Sequence, residues 1–203
     1  MAEQQMRVAA GQIRDLTDDM LRYAVQLGVK GIQINTPNIP GDGFWSEEIL
    51  RAQVEKCEQY GITLESLENV PAHFYDKAML GLPGRDEQIA NYQTTIRNVG
   101  KAGIPILGFH FMPNFVWRTE YLAPTRGGAG STLFDMAAVE KATTTDELEY
   151  FVWGGLERNG RIPIAMQSEV LVTQDQMWAN YVYFMSAVLP IAEEAGVKLA
   201  LHP

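Results

Sequence analysis

The chain has 203 residues, 46% hydrophobic and 20% charged, and its 16 Lys and Arg against 25 Asp and Glu leave a formal net charge of −9. That composition speaks against a disordered or membrane-embedded chain, and the acidic balance against a nucleic-acid groove built on displaced counterions. With Cys57 as the single cysteine, no signal-peptide pattern in Met1–Gln5 and no apolar run of bilayer length, the expected setting is the reducing cytoplasm, away from membranes.

In chain order, a weak strand near Arg7–Ala10 comes first. A helix ends at the joint Leu27-Gly28-Val29, and a strand follows over Gly31–Asn35. There Ile32 and Ile34 share one face and Gln33 and Asn35 the other. The stripe Leu50, Val54, Cys57 predicts the next helix, which ends at Gly61 before a strand over Thr63–Asn69. That strand alternates less cleanly: Ser66 and Glu68 share a face, but Glu65 joins Leu67 on the apolar one. The stripe Ile89, Tyr92, Ile96, Val99 leads to Gly103 and a strand over Ile106–Phe111, where Leu107, Phe109 and Phe111 oppose Gly108 and His110. Residues 112–173 then read as a long loop or lid insertion, with a flexible Arg126–Gly130 and a helix over Asp146–Trp153. Thr173 and Gln176 are spaced as a capping box for a final helix. Its stripe is Met177, Trp178, Tyr181, Val182, Met185, Val188, Leu189 and Ala192, with a kink expected at Pro190. Gly196 closes that helix, and a strand over Lys198–His202 sets Leu199 and Leu201 against Ala200 and His202.

Helix, glycine, strand recurs four times, which predicts βα units and a parallel sheet. A doubly wound sheet buries both faces and reads as continuous apolar runs. Here one face is apolar and the other small or polar, as in a closed barrel with helices outside. The expected fold is therefore α/β, a (β/α)8 TIM-like barrel truncated after about five strands. Residues 1–203 would form one incomplete domain interrupted by the 112–173 insertion.

Barrel sites lie at the C-terminal strand ends, and the inward faces end in Asn35, Glu68, His110 and His202. All three histidines, His73, His110 and His202, fall at or just after strand ends. A lone histidine there is more often structural; three together with a carboxylate suit a divalent metal such as Mn²⁺ or Zn²⁺. Arg118 beside Trp117 could clamp a carboxylate on a sugar acid, the alternative being a surface Arg stacked on an anchoring Trp. Gly127, Gly128 and Gly130 make no phosphate fingerprint, and no G-x-S-x-G elbow occurs. Cys57 sits on an apolar stripe and reads as core.

At these residues the sequence resembles the mannonate dehydratases, members of the xylose-isomerase-like TIM barrels. The pieces that carry the likeness are Glu68-Asn69-Val70-Pro71-Ala72-His73, residues 91–98, Phe111-Met112-Pro113 followed by Trp117-Arg118-Thr119, and the run from Pro190 to Pro203. The resemblance implies dehydration of D-mannonate to 2-keto-3-deoxy-D-gluconate, a step of glucuronate degradation, with a divalent metal, typically Mn²⁺ and otherwise Fe²⁺. It matches His202 to the family's first metal-ligating histidine. The other ligands and the proton-transfer residues fall on later strands, beyond Pro203. For such a reaction Arg118 with Trp117 would position the acid, and His110, Glu68 and His73 would be substrate contacts or partners that orient ligands. Around Trp117 the family pattern is altered, with Val116 before it and one residue fewer after it, which points to a divergent branch. The expected partner is a small-molecule sugar acid, with a homo-oligomer as an option at full length and no nucleic acid or membrane. Two other readings stay open: a sugar isomerase or epimerase on the same barrel, which a glutamate in place of His202 would favour, and a non-catalytic partial barrel with open sheet edges.

Overall fold

The computed structural model describes residues 8–35, 37–112, 119–141 and 172–202. The chain divides into two compact units, one formed by Met1–Phe111 with Val172–Pro203 and the other by Met112–Leu171.

The first unit is built from β1 (Ala9–Ile13), α1 (Asp18–Gln26), β2 (Gly31–Asn35), α2 (Glu47–Glu58), β3 (Thr63–Glu68), a 3-10 turn at Ala72–Phe74, α3 (Asp76–Leu80), α4 (Arg85–Lys101) and β4 (Ile106–Phe109). In the second unit β5 (Glu120–Pro124) and β6 (Gly130–Leu133) pair as an antiparallel hairpin, followed by α5 (Met136–Lys141). The chain then returns to the first unit with α6 (Gln174–Ala195) and β7 (Lys198–Leu201). The five strands of the first unit lie in the order β1-β2-β3-β4-β7, every neighbouring pair parallel. This is the sheet of a barrel arc, with strand order following chain order.

Local chemistry explains the elements. Thr17 and Ser46 cap α1 and α2 by accepting from Met20 N (3.2 Å) and Ile49 N (3.3 Å), satisfying amides that the first helical turn leaves unpaired. Thr173 and Gln176 form the predicted capping box, Gln176 N donating to Thr173 Oγ1 at 3.3 Å and Thr173 N to Gln176 Oε1 at 2.9 Å. Gly28, Gly61, Gly103 and Gly196 all have positive φ, between 67 and 82°. Each turns the chain from helix into strand through a left-handed conformation that a Cβ would penalise.

The core lies on the helix side of the sheet. Ile32, Ile34, Leu64, Leu67, Leu107 and Phe109 are buried there with Leu21, Leu50, Ile89, Ile96, Val99, Phe184 and Val188 from the helices. Residues 91–98 turn out to be scaffold. Tyr92 is fully buried edge-on to Phe184, Thr95 Oγ1 accepts from Trp45 N, Asn98 Nδ2 donates to Trp45 O, and Gln93 Nε2 donates to Ala187 O.

Four expectations change. The first strand, expected near Arg7–Ala10, runs over Ala9–Ile13. The apolar stripe of α6 is not uniformly inward: Phe184, Val188 and Ala192 are buried, whereas Trp178, Val182 and Leu189 are exposed. The segment expected as a loop over Arg126–Gly130 is a hairpin turn, with a 3-10 turn at Arg126–Gly128 and β6 beginning at Gly130. Gly127 and Gly128 sit at φ 75 and 79°, and Thr125 N and Oγ1 both donate to Ala129 O at 2.8 and 2.7 Å. The fourth strand stops at Phe109, two residues early. The helix expected over Asp146–Trp153 lies outside the described residues.

Candidate active site

Parallel pairing aligns the C-terminal strand ends. Asn35 pairs with Glu68, Gly108 with Ala200, and Phe109 with Leu201, so His110 and His202 emerge side by side. A bulge between β2 and β3 matters here. Ile32 pairs with Leu64, but Gln33 pairs with Ser66, so Glu65 is the extra residue. It accounts for the broken alternation in the sequence and places Gln33, Ser66 and Glu68 on the face away from the helices.

On that face the side chains join. Glu68 is buried; its Oε2 accepts from Gln33 Nε2, and its Oε1 lies 3.5 Å from His202 Nε2. The His110 and His202 rings meet edge to face with centroids 4.6 Å apart. His110 Nδ1 lies 3.2 Å from the His202 carbonyl oxygen. A carbonyl only accepts, so Nδ1 carries the proton, and neutral His110 keeps its Nε2 lone pair available. Burial pushes the His110 imidazole below its ordinary pKa; the bond to the His202 carbonyl opposes this, and the neighbouring His202 ring adds to it. The site thus brings together a carboxylate, a neutral imidazole able to accept a proton, and a second imidazole whose side chain is 46% exposed.

Three of the predicted site residues are therefore joined through His202, whose Nε2 lies 3.5 Å from Glu68 Oε1 and whose ring packs against His110. His73 stands on the 3-10 turn after β3, exposed, with its ring edge-on to Phe74 at 4.8 Å. Trp117 and Arg118 lie outside the described residues. Two residues of this neighbourhood were not among the candidate site residues. Gln33 had its signal in the polar phase of β2. Asn69 had only its place in the Glu68–His73 piece that carries the likeness: it holds φ +67° just after β3, and its buried amide finds no hydrogen-bond partner among the described residues.

His202 and Glu68 are donors that Mn²⁺ or Fe²⁺ accepts, imidazole and carboxylate. Among the described residues no three His, Cys, Asp or Glu converge as a metal-holding group. The donors fit such an ion in kind and supply only part of its coordination sphere.

Comparison with known proteins agrees with this geometry. A D-psicose 3-epimerase from Clostridium cellulolyticum H10 superposes with a TM-score of 0.51 at 14% identity over 97% of this chain and 52% of its own, a likeness of fold alone. The arc is thus part of a TIM-like (β/α)8 barrel. The crystal structure of mannonate dehydratase from Streptococcus suis serotype 2 is far more similar, with a TM-score of 0.77 and 30% identity over 98% of this chain and 54% of that one. Mannonate dehydratase of Streptococcus pneumoniae (strain 70585) is 34% identical over 181 residues, 87% of this chain and 48% of its own length. The family model described as D-mannonate dehydratase (UxuA) matches residues 11–203, and the chain belongs to that family. It spans about half the length of the curated relatives it matches. Among the described residues no helix is long and apolar enough to cross a membrane.

Proposed function

We propose that this chain contributes the first five strands and part of the active site of a metal-dependent sugar-acid dehydratase, acting on D-mannonate in the cytoplasm. The observation that carries the reading is the contact of His202 with both Glu68 and His110 at the C-terminal strand ends of a chain that matches the family over residues 11–203. The reaction removes the proton from C2 and the hydroxyl from C3, giving water and an enol that tautomerises to 2-keto-3-deoxy-D-gluconate. His202 holds a divalent metal, Mn²⁺ or Fe²⁺, with the remaining donors contributed from outside the described residues. When bound, that ion supplies Lewis-acid stabilisation of the charge that develops on the substrate carboxylate.

This chain's own residues orient and bind. Gln33 holds one oxygen of Glu68, and the other steadies the His202 ring, as outer partners of ligating histidines do. His110, neutral and protonated at Nδ1, offers Nε2 as an acceptor to a substrate hydroxyl. Arg118 with Trp117 receives the carboxylate, and His73 adds a polar contact at the rim. The donor set among the described residues is incomplete, and residues 1–203 alone are expected to bind Mn²⁺ weakly and turn over nothing.

The test supplies D-mannonate and Mn²⁺ to the protein expressed from its full reading frame and follows 2-keto acid formation. Product that disappears with chelator and in His202→Ala supports the reading. Absence of product with either Mn²⁺ or Fe²⁺ sinks it.

A further inference from the structure

Asn69 combines two costs in one residue. Its backbone is left-handed at φ +67°, the position where glycine is the default. Its side chain is 3% exposed, and neither Nδ2 nor Oδ1 meets a hydrogen-bonding partner among the described residues. Buried side-chain amides in folded proteins are nearly always paired, and an unpaired one destabilises.

The surroundings dictate the backbone. Asn69 N donates to Gly108 O at 3.1 Å, carrying the β3–β4 pairing past the end of the strand. A Cβ on Gly108 would stand 3.2 Å from Glu68 Cα, 3.4 Å from Leu67 O and 3.5 Å from Asn69 N, so the two strands approach closely at this level. The preceding residue, Glu68, is pinned by Gln33 and faces His202. Glycine at 69 would relieve the backbone and leave no amide to satisfy. An asparagine at that position adds one thing only, a paired donor and acceptor at the strand end beside Glu68.

We propose that the Asn69 side chain is a substrate-contacting group that hydrogen-bonds a hydroxyl of the bound sugar acid. A hydroxyl donates one hydrogen bond and accepts others, so it can engage Oδ1 and Nδ2 together; a carboxylate or phosphate oxygen could use only Nδ2. The ligand class is thus a polyhydroxy acid, and the assignment rests on the dehydratase reading above. It also explains why the fold carries an unsatisfied amide at a functional end of the sheet, where such strain concentrates.

The experiment compares the full-length protein with its Asn69→Gly variant, since glycine suits this φ. Calorimetric binding of D-mannonate and D-gluconate is measured alongside D-mannonate turnover and the thermal midpoint. The expected variant melts no lower than wild type and binds whichever hexonate wild type takes at least tenfold more weakly. A smaller loss of binding overturns the assignment. So does a lowered midpoint, which would place the amide's partner inside the fold. If wild type binds D-gluconate but does not dehydrate D-mannonate, the dehydratase reading fails while weaker binding in the variant still supports Asn69. Wild type that binds neither acid overturns both.

Discussion

On the helix side of the sheet Leu67, Leu107 and Leu199 stand in one row, paired strand to strand. The adjoining rows on the other side hold Asn35 with Glu68 and Gly108 with Ala200, two polar residues and two with almost no side chain. The first row is volume filling. The second gives up volume so that Glu68, His110 and His202 can converge. Stability and chemistry are thus assigned to opposite sides of the same strands, and each side should fail in its own way.

The largest effect should come from the apolar row. Leu107→Ala removes a fully buried side chain between two strand neighbours and should cost about 2–5 kcal/mol in urea unfolding, as buried leucine truncations do. A cost of less than about 1 kcal/mol would deny that this face carries the fold. Glu68→Gln on the opposite face keeps an oxygen for Gln33 and loses the charge facing His202. It should change stability by less than about 1 kcal/mol, yet lower Mn²⁺ affinity or turnover of the full-length protein by about 10- to 100-fold. A large stability loss with unchanged turnover would reverse the assignment of the two faces.

Cys57 gives a subtler check on the apolar side. Burial pushes its thiol from 9.0 up to about 11, with Lys56 opposing and Glu58 adding a little. The folded thiol should resist iodoacetamide at pH 8 and react once the chain is unfolded. Because its folded pKa lies above the unfolded one, the thiol's contribution to stability is complete below pH 9 and is lost as pH rises towards 11. Cys57→Ala should flatten the stability profile in that window, and an identical slope would contradict the burial. The smallest effect belongs to Val182→Ser on the exposed half of α6. Val182 is 58% exposed, and the change should stay within about 0.5 kcal/mol.

Much of this architecture was readable from local chemistry. A glycine after each apolar stripe marked where helix gives way to strand, and β2, β3, β4 and β7 begin at the residues expected. The glycine joints bounded the strands, and period-two alternation then put Glu68, His110 and His202 on the polar face near their ends. What escaped depends on partners far along the chain. The exposure of Val182 and Leu189 reflects which neighbours α6 has, not its own periodicity. The β5–β6 hairpin hid because its turn glycines read as looseness until Thr125 was seen to bracket them. Gln33 gains its role only from Glu68, 35 positions away. The φ of Asn69 is imposed by pairing with β4 and leaves no composition signal.

The bulge at Glu65 has a consequence for reading relatives of this chain. Without that residue Leu64, Ser66, Leu67 and Glu68 would alternate cleanly and still sit opposite Ile32, Gln33, Ile34 and Asn35. A version lacking Glu65 is therefore expected to keep its carboxylate opposite Asn35. An alignment drawn through this segment should open its gap opposite Glu65, because moving the gap three positions on would trade Glu68 for a residue of the wrong parity and erase the site from view.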